Sequence, residues 1–308
     1  RKATVTEQTM ATIRIVRRCR YNSLNLGDYQ MKRRQFLSAA AGALAATAIA
    51  LTATAASAAE TIRFAVTDVE GLEALQTEFG PFRDKLSALT GYEVEFFPVN
   101  SRTAAVEALS SEHIDFVLTG PAEYVVFKAR TDAKVVVGWQ RPDYFAQIVV
   151  MADGPIKSVE DLRGKKVSFG SVGSTSQHLG PAQALADMGL LYNKDYASQI
   201  ISRNVAVEAM IRGDIQAVGM NFGHLNKIRK AFPDQAFTVV ARGRDLPNDI
   251  LIAGKHVSGE MFDKIRATFI EHGKELMAQV VKGDDNKKYL GGHFLATIED
   301  KDYNYVRS

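Results

Sequence analysis

Apolar residues recur along this chain with two periods, and the period switches repeatedly. Thr61-Ile62-Arg63-Phe64-Ala65-Val66 alternates as a half-buried strand does. Leu72, Leu75, Phe79, Phe82, Leu86 and Leu89 follow at steps of three and four. That spacing predicts one helix face of about five turns, stopped by Gly91. Tyr92 to Phe97 reads as a strand, Thr103 to Ser110 as a short helix, Ile114 to Leu118 as a strand and Ala122 to Arg130 as a helix. This alternation predicts a mostly parallel sheet covered by helices, an α/β fold.

The pattern then changes. Lys134 to Trp139 and Phe145 to Ala152 are predicted strands, and Gln140-Arg141-Pro142-Asp143 between them is a candidate crossing to a second lobe. Ser158-Val159-Glu160-Asp161 has the form of a capping box. A second α/β run follows. It has a strand at Lys166 to Gly170, a helix after Ser176, a helix around Val205 to Arg212, a strand at Ile215 to Gly219, a helix at Phe222 to Phe232 and a strand at Phe237 to Ala241. A return crossing near Leu246-Pro247-Asn248-Asp249 leads to a strand at Ile250 to Ala253 and one long helix, Met261 to Val281. The expected lobes are residues 59–142 with 248–308, and residues 143–247. Two crossings leave a cleft between lobes, where ligands gather at the carboxyl ends of parallel strands.

The first 58 residues belong to neither lobe. Met31-Lys32-Arg33-Arg34-Gln35-Phe36-Leu37, the apolar stretch Ala39 to Ala56 and the site Ala56-Ser57-Ala58 form a secretory signal with an A-x-A cleavage pattern. The paired arginines resemble a twin-arginine export signal. The Ala/Thr-rich composition and the cleavage site argue against a transmembrane anchor. Residues 1–30 are expected to be an extended gene start or a disordered leader, with Met10 and Met31 both able to serve as starts.

Removing this leader changes the charge. The whole chain carries 38 basic and 35 acidic side chains, net +3. Residues 1–58 hold nine basic and two acidic ones, so residues 59–308 keep 29 and 33, net −4. No basic run remains to suggest nucleic acid. The single cysteine, Cys19, lies in the leader, which leaves the exported part without a disulfide, a thiol nucleophile or a Cys metal site.

Ser174-Thr175-Ser176 carries the most chemistry. The run sits where the strand ending at Gly170 and the turn Ser171-Val172-Gly173 feed a helix. The first N–H groups of a helix lack intrahelical partners and carry partial positive charge. With three hydroxyls they can form a socket for a tetrahedral oxyanion. An ordinary helix cap also uses Ser or Thr, so at this point both readings stand.

Several segments together resemble the periplasmic phosphonate/phosphite-binding proteins of ABC importers. They are Ile114-Asp115-Phe116-Val117-Leu118-Thr119-Gly120-Pro121-Ala122-Glu123-Tyr124, Leu162 to Gly170, Gly173-Ser174-Thr175-Ser176, Leu246-Pro247-Asn248-Asp249 and the ending Asp302-Tyr303-Asn304-Tyr305-Val306-Arg307. The resemblance covers about residues 60–308. It implies a type II periplasmic binding fold whose two lobes close on a ligand. It implies that Ser174, Thr175 and Ser176 hold the anion and that Asp249 and Tyr144 face it. Three departures accompany it. Phosphonate binders of the family have a histidine before the helix near Val205, where this chain reads Arg203-Asn204-Val205. They have a carboxylate for an aminoalkyl group after the strand ending near Asn221, where this chain reads Asn221-Phe222-Gly223-His224. Ser101-Arg102-Thr103 stands where a tyrosine often follows the second strand. Loss of the amine-binding carboxylate points away from 2-aminoethylphosphonate and toward a small anion such as phosphite or phosphate.

Each further site residue has two readings. Asp249 can begin a strand or turn, or it can accept a proton from hydrogen phosphate or phosphite, which ionised sulfate cannot offer. Tyr144 is a core aromatic or a cleft residue. Arg102 is a solvated surface charge or a fork for an oxyanion. Asn221 completes the set of candidate ligand-binding residues. His178 can pack or cap, and the other histidines show no metal spacing, so no metal or cofactor is expected. G-x-S-x-G, P-loop and H-E-x-x-H motifs are absent. The expected function is a monomeric, periplasmic, non-enzymatic solute-binding component that delivers a small phosphorus oxyanion to a permease and ATPase. A sensor subunit for a membrane histidine kinase and a secreted hydrolase are the alternatives.

Overall fold

Residues 59–308 are described by a computed structural model; the leader and export signal expected over residues 1–58 lie outside the described residues. The alternation from Thr61 does form a strand, β1 (Thr61–Val66), and the three/four-spaced run forms helix α1 (Leu72–Thr90). Gly91 ends α1 in the left-handed region at φ 74°, a conformation that costs glycine little. The chain continues through β2 (Glu93–Phe96), α2 (Arg102–Ser110), β3 (Phe116–Thr119), α3 (Pro121–Arg130) and β4 (Lys134–Trp139). Then come β5 (Phe145–Met151), β6 (Lys166–Phe169), α4 (Gly180–Asp187), β7 (Ala197–Ile200), α5 (Arg203–Ile211), β8 (Ala217–Asn221), α6 (Phe222–Ala231) and β9 (Phe237–Asp245). Strand β10 (Asp249–Ala253), helices α7 (Gly259–Glu271) and α8 (Gly273–Val280), and the short β11 (Phe294–Leu295) follow.

These strands make two sheets, ordered β11-β4-β10-β3-β1-β2 and β7-β6-β8-β5-β9. The two-lobe α/β fold is the expected one. Each sheet is mixed: besides the short β11, antiparallel to β4, two strands run against the parallel set, β10 between β3 and β4, and β5 between β8 and β9. Both are the first strands after a crossing. Strand alternation carries no information about direction, which is set only when the returning chain is inserted into a sheet. The first sheet draws its strands from residues 61–139 and 249–295, and the second from residues 145–245.

Side-chain alternation puts a separate core on each sheet face. Ile62, Phe64 and Val66 pack with Phe79, Phe82 and Trp139 under α1, α7 and α8. Ala65, Val117 and Ile252 face the other way, toward Tyr124, Phe127 and Tyr303. In the second sheet Ile148, Val167 and Phe169 form one core, and Val149, Val218 and Met220 the other. The crossings are tied to each other. Leu246 N–H donates to the Tyr144 carbonyl at 2.8 Å, Arg141 N–H to Asn248 Oδ1 at 3.0 Å, and Tyr303 O–H to the Asn248 carbonyl at 3.0 Å.

Some elements differ from expectation. The helix expected over Met261 to Val281 is two, broken at His272, whose backbone leaves helical geometry just before Gly273. Glycine is a poor helix former, and the period of three and four continues across the break, so the apolar pattern hides it. The strand expected at Ile215 to Gly219 lies two residues later, at Ala217–Asn221, where its register against β6 places it. Strand β7 was not expected. It is a half-exposed edge strand with little apolar signal. The capping-box segment opens only a three-residue 3₁₀ turn, Glu160–Leu162, with Asp161 accepting from the Ser158 N–H at 2.9 Å.

Candidate functional site

The carboxyl ends of β1, β3, β6 and β8 and both crossings converge on one cleft of about 400 Å³. All seven sequence-predicted residues line it: Arg102, Tyr144, Ser174, Thr175, Ser176, Asn221 and Asp249. They come from both lobes, so only the tertiary fold brings them together.

Ser174 is the cap position of a π-helical turn, Thr175–Leu179, that runs into α4. The turn forms because the Ser174 carbonyl accepts from both His178 N–H and Leu179 N–H, each at 3.0 Å. It is tight enough that a methyl group on Gly180 would lie 2.7 Å from the Thr175 carbonyl oxygen. Gly173 before it sits at φ 79°. The Ser174 side chain makes no capping bond, so the hydroxyl run is not consumed in capping its own helix. All three hydroxyl residues are buried. Thr175 Oγ1 instead accepts from Ala122 N–H, in the first turn of α3 across the cleft, at 2.9 Å. Ser176 Oγ accepts from Asn221 Nδ2 at 3.0 Å. Asn221 Oδ1 caps α6 by accepting from His224 N–H at 2.9 Å. Both ends of the Asn221 amide are thus engaged, and the residue positions Ser176.

Asp249 opens β10 and is buried. Its Oδ2 accepts from Tyr289 O–H at 2.7 Å and from Arg141 Nη1 at 3.4 Å. Its Oδ1 is enclosed and has no partner. The Arg141 guanidinium lies 3.8 Å from the centre of the Tyr144 ring, a cation–π stack. Burial works against its charge, but its surroundings, the carboxylates of Asp249 and Asp68 among them, outweigh burial, so its pKa is raised and it stays a cation. Burial raises the Tyr144 phenol against the pull of Arg141, and it stays protonated. Arg102 reaches the cleft, but its Nε bonds Glu123. Its fork is therefore shared with a carboxyl that burial pushes above the usual range, against the opposing pull of Arg102.

Sequence reasoning did not assign roles to Arg141, Glu123, Arg203, His224 or Tyr289, all of which line the cleft. Arg141 and Glu123 lay inside segments already singled out, and Arg203 and His224 inside the departures from the family pattern. Tyr289 carried no signal, because its 3₁₀ turn, Asp285–Tyr289, has no periodic neighbours. Among the described residues no cluster of three His, Cys, Asp or Glu side chains is arranged to hold a metal ion. No helix among them is long and apolar enough to cross a membrane.

Two α/β lobes, two tied crossings and a polar cleft between them are the architecture of a two-lobe solute-binding protein. Residues 64–301 match the family of periplasmic substrate-binding proteins of phosphonate ABC transporters, and the chain belongs to that family. It is 30% identical over 139 residues to the phosphate-import protein PhnD of Mycolicibacterium smegmatis, a match covering 43% of each chain and thus less than half of that relative. It is 21% identical over 226 residues to the phosphonates-binding periplasmic protein of Escherichia coli, covering 70% of this chain and 67% of that one. Its fold superposes on the binding-protein component of an ABC phosphonate transporter from Pseudomonas aeruginosa with a TM-score of 0.66, at 19% identity over 81% of this chain and 85% of the other.

Proposed function

We propose that the cleft captures a small phosphorus oxyanion (phosphite, a phosphonate or phosphate) in a protonated form and delivers it to a membrane permease and ATPase. One observation carries the reading: the enclosed, unpartnered Asp249 Oδ1 in a cleft that also presents the Ser174–Ser176 hydroxyls. A carboxylate beside an oxyanion is repulsive unless a proton lies between them. Phosphite and hydrogen phosphate carry that proton, and sulfate does not. The relatives' names divide between phosphate and phosphonates, which fits a site that reads the phosphorus oxyanion itself. Ser174, Thr175, Ser176, Tyr144 and Asp249 form the oxyanion site in this reading, with Arg102 and Asn221 supporting it. The protein acts as a monomer and returns its ligand unchanged, so a turnover assay with any bound ligand shows no product.

A thermal-shift screen of phosphite, phosphate, methylphosphonate, 2-aminoethylphosphonate, sulfate and arsenate tests this. A ligand at one hundred times Kd stabilises the folded state by about 2.7 kcal/mol. The melting temperature should rise with phosphite or a related monoanion and stay fixed with sulfate. Equal stabilisation by sulfate removes the proton-acceptor role of Asp249. Selective stabilisation by 2-aminoethylphosphonate shows that the cleft has an amine site after all.

Export is proposed to use the twin-arginine route. Arg33→Lys with Arg34→Lys should leave precursor in the cytosol, because the arginine pair is the recognised feature. Fractionation of cells expressing the double variant reads this directly, and a normal periplasmic yield would point to another route.

A further inference from the structure

We propose that the cleft contains a second anion subsite, formed by Arg203 and His224, and that the ligand is a phosphorus oxyanion bearing a further anionic group such as a carboxylate or a second phosphoryl. This rests on the phosphorus-oxyanion reading of the cleft and extends it. Four cations act on His224: Arg203, Arg141, Lys288 and Lys227. Three of them have carboxylate partners. Arg141 pairs with Asp249, Lys288 with Asp68, and Lys227 with Asp285 at 2.5 Å. Arg203 forms no ion pair among the described residues, and its Nε is enclosed without a hydrogen-bond partner. The carboxylate that acts on it through space, Asp285, is the one already bound by Lys227.

The position of Arg203 makes this arrangement costly by itself. It is the first residue of α5, after Ser202, which makes no side-chain capping bond. A cation there meets the positive end of the helix dipole. Burial lowers its pKa, as expected for a guanidinium losing water without gaining a partner. An anion placed beside Arg203 would reverse all three penalties together. His224 lines the same cleft from the first turn of α6, and its Nδ1 is enclosed with no partner. Burial first, and then the surrounding cations, hold its imidazole well below its ordinary pKa, so it stays neutral. A neutral imidazole can donate one N–H to an anion without adding charge. His224 lies in the segment where a bound ammonium group would need a carboxylate, and the Arg203 cation that acts on it repels amines from this part of the cleft.

Calorimetric titration of the mature protein with methylphosphonate, 2-aminoethylphosphonate, phosphonoacetate and 3-phosphonopropionate tests the subsite. One of the two carboxylated ligands should bind about tenfold or more tightly than methylphosphonate, the gain expected of a hydrogen bond between charged groups. The aminated ligand should gain nothing. In Arg203→Gln the ratio between the carboxylated ligand and methylphosphonate should fall close to one, while the melting temperature without ligand does not drop. A ratio near one in the unaltered protein, a preference for the amine, or a ratio that survives Arg203→Gln each overturns the subsite. If methylphosphonate and phosphite bind and the carboxylate adds nothing, only the subsite fails. If no phosphorus ligand binds, the proposed function fails with it.

Discussion

Thr175→Ala is expected to weaken binding of the best phosphorus oxyanion by about ten- to a hundredfold, the equivalent of one hydrogen bond to a charged group, about 1.5–3 kcal/mol. The hydroxyl sits at the meeting of the lobes. Its oxygen accepts the Ala122 N–H at 2.9 Å, while its own proton reaches Glu123 Oε2 only at 3.4 Å. That long contact leaves the proton free to turn toward an anion while the oxygen keeps its bond to α3. Thr175 can therefore bind ligand and hold the lobes together in the same conformation, and alanine removes both contributions. The fold should lose less, on the order of 1 kcal/mol, because one N–H in the first turn of α3 loses its partner. Calorimetric titration and thermal melts separate the two effects. Thr175→Ser keeps the hydroxyl and should restore most of the affinity. Unchanged affinity in a folded Thr175→Ala protein would place the oxyanion site elsewhere and leave the run as a contact between lobes.

Asp249→Asn is expected to be costly in a different way. Asparagine keeps the shape and can still accept from Tyr289, but it removes the carboxylate paired with the buried Arg141 cation. Removing one partner of a buried pair destabilises by about 3–5 kcal/mol. The 3.4 Å separation of Arg141 Nη1 and Asp249 Oδ2, and the cation–π stack on Tyr144 that remains, place the expected loss at about 3 kcal/mol, the lower end of that range. Specificity should change as well. The carboxylate is a pure acceptor, and the amide adds a donor, so the preference for phosphite over sulfate should shrink. Denaturant titration gives the stability change, and paired titrations with phosphite and sulfate give the selectivity change. An unchanged phosphite-to-sulfate ratio would remove Asp249 as the reader of the ligand's proton.

The two variants bear on different parts of the cleft. Thr175 belongs to the lobe that carries the hydroxyl run, and Asp249 to the returning crossing. A ligand that touches both therefore bridges the two lobes. The cross-cleft bond from Ala122 to Thr175 and the ion pair from Lys227 to Asp285 hold the lobes in contact.

Much of this was legible in the sequence because it depends on near neighbours. The three/four spacing from Leu72 to Leu89, the strand from Thr61 and the glycine stop at Gly91 are local facts, and the structure keeps them. The hydroxyl run could be located because a strand, a glycine turn and a helix must follow one another at that spacing. Resemblance then added Asp249 and Tyr144, whose contacts no local pattern contains. The direction of β5 and β10, the break at His272 and the sharing of Arg102 with Glu123 were decided only in three dimensions. Each depends on groups far apart in the chain or on a register that periodicity does not encode. Arg203 shows the division most plainly. As a letter it is one arginine among many, at a place where the family pattern departs. Its meaning comes from the fold, which puts it at the positive end of a helix, takes water from its Nε and assigns Asp249, Asp285 and Asp68 to other cations. Sequence fixes which charges exist, and tertiary structure decides which are left unpaired, because pairing is settled by distance and desolvation rather than by order along the chain.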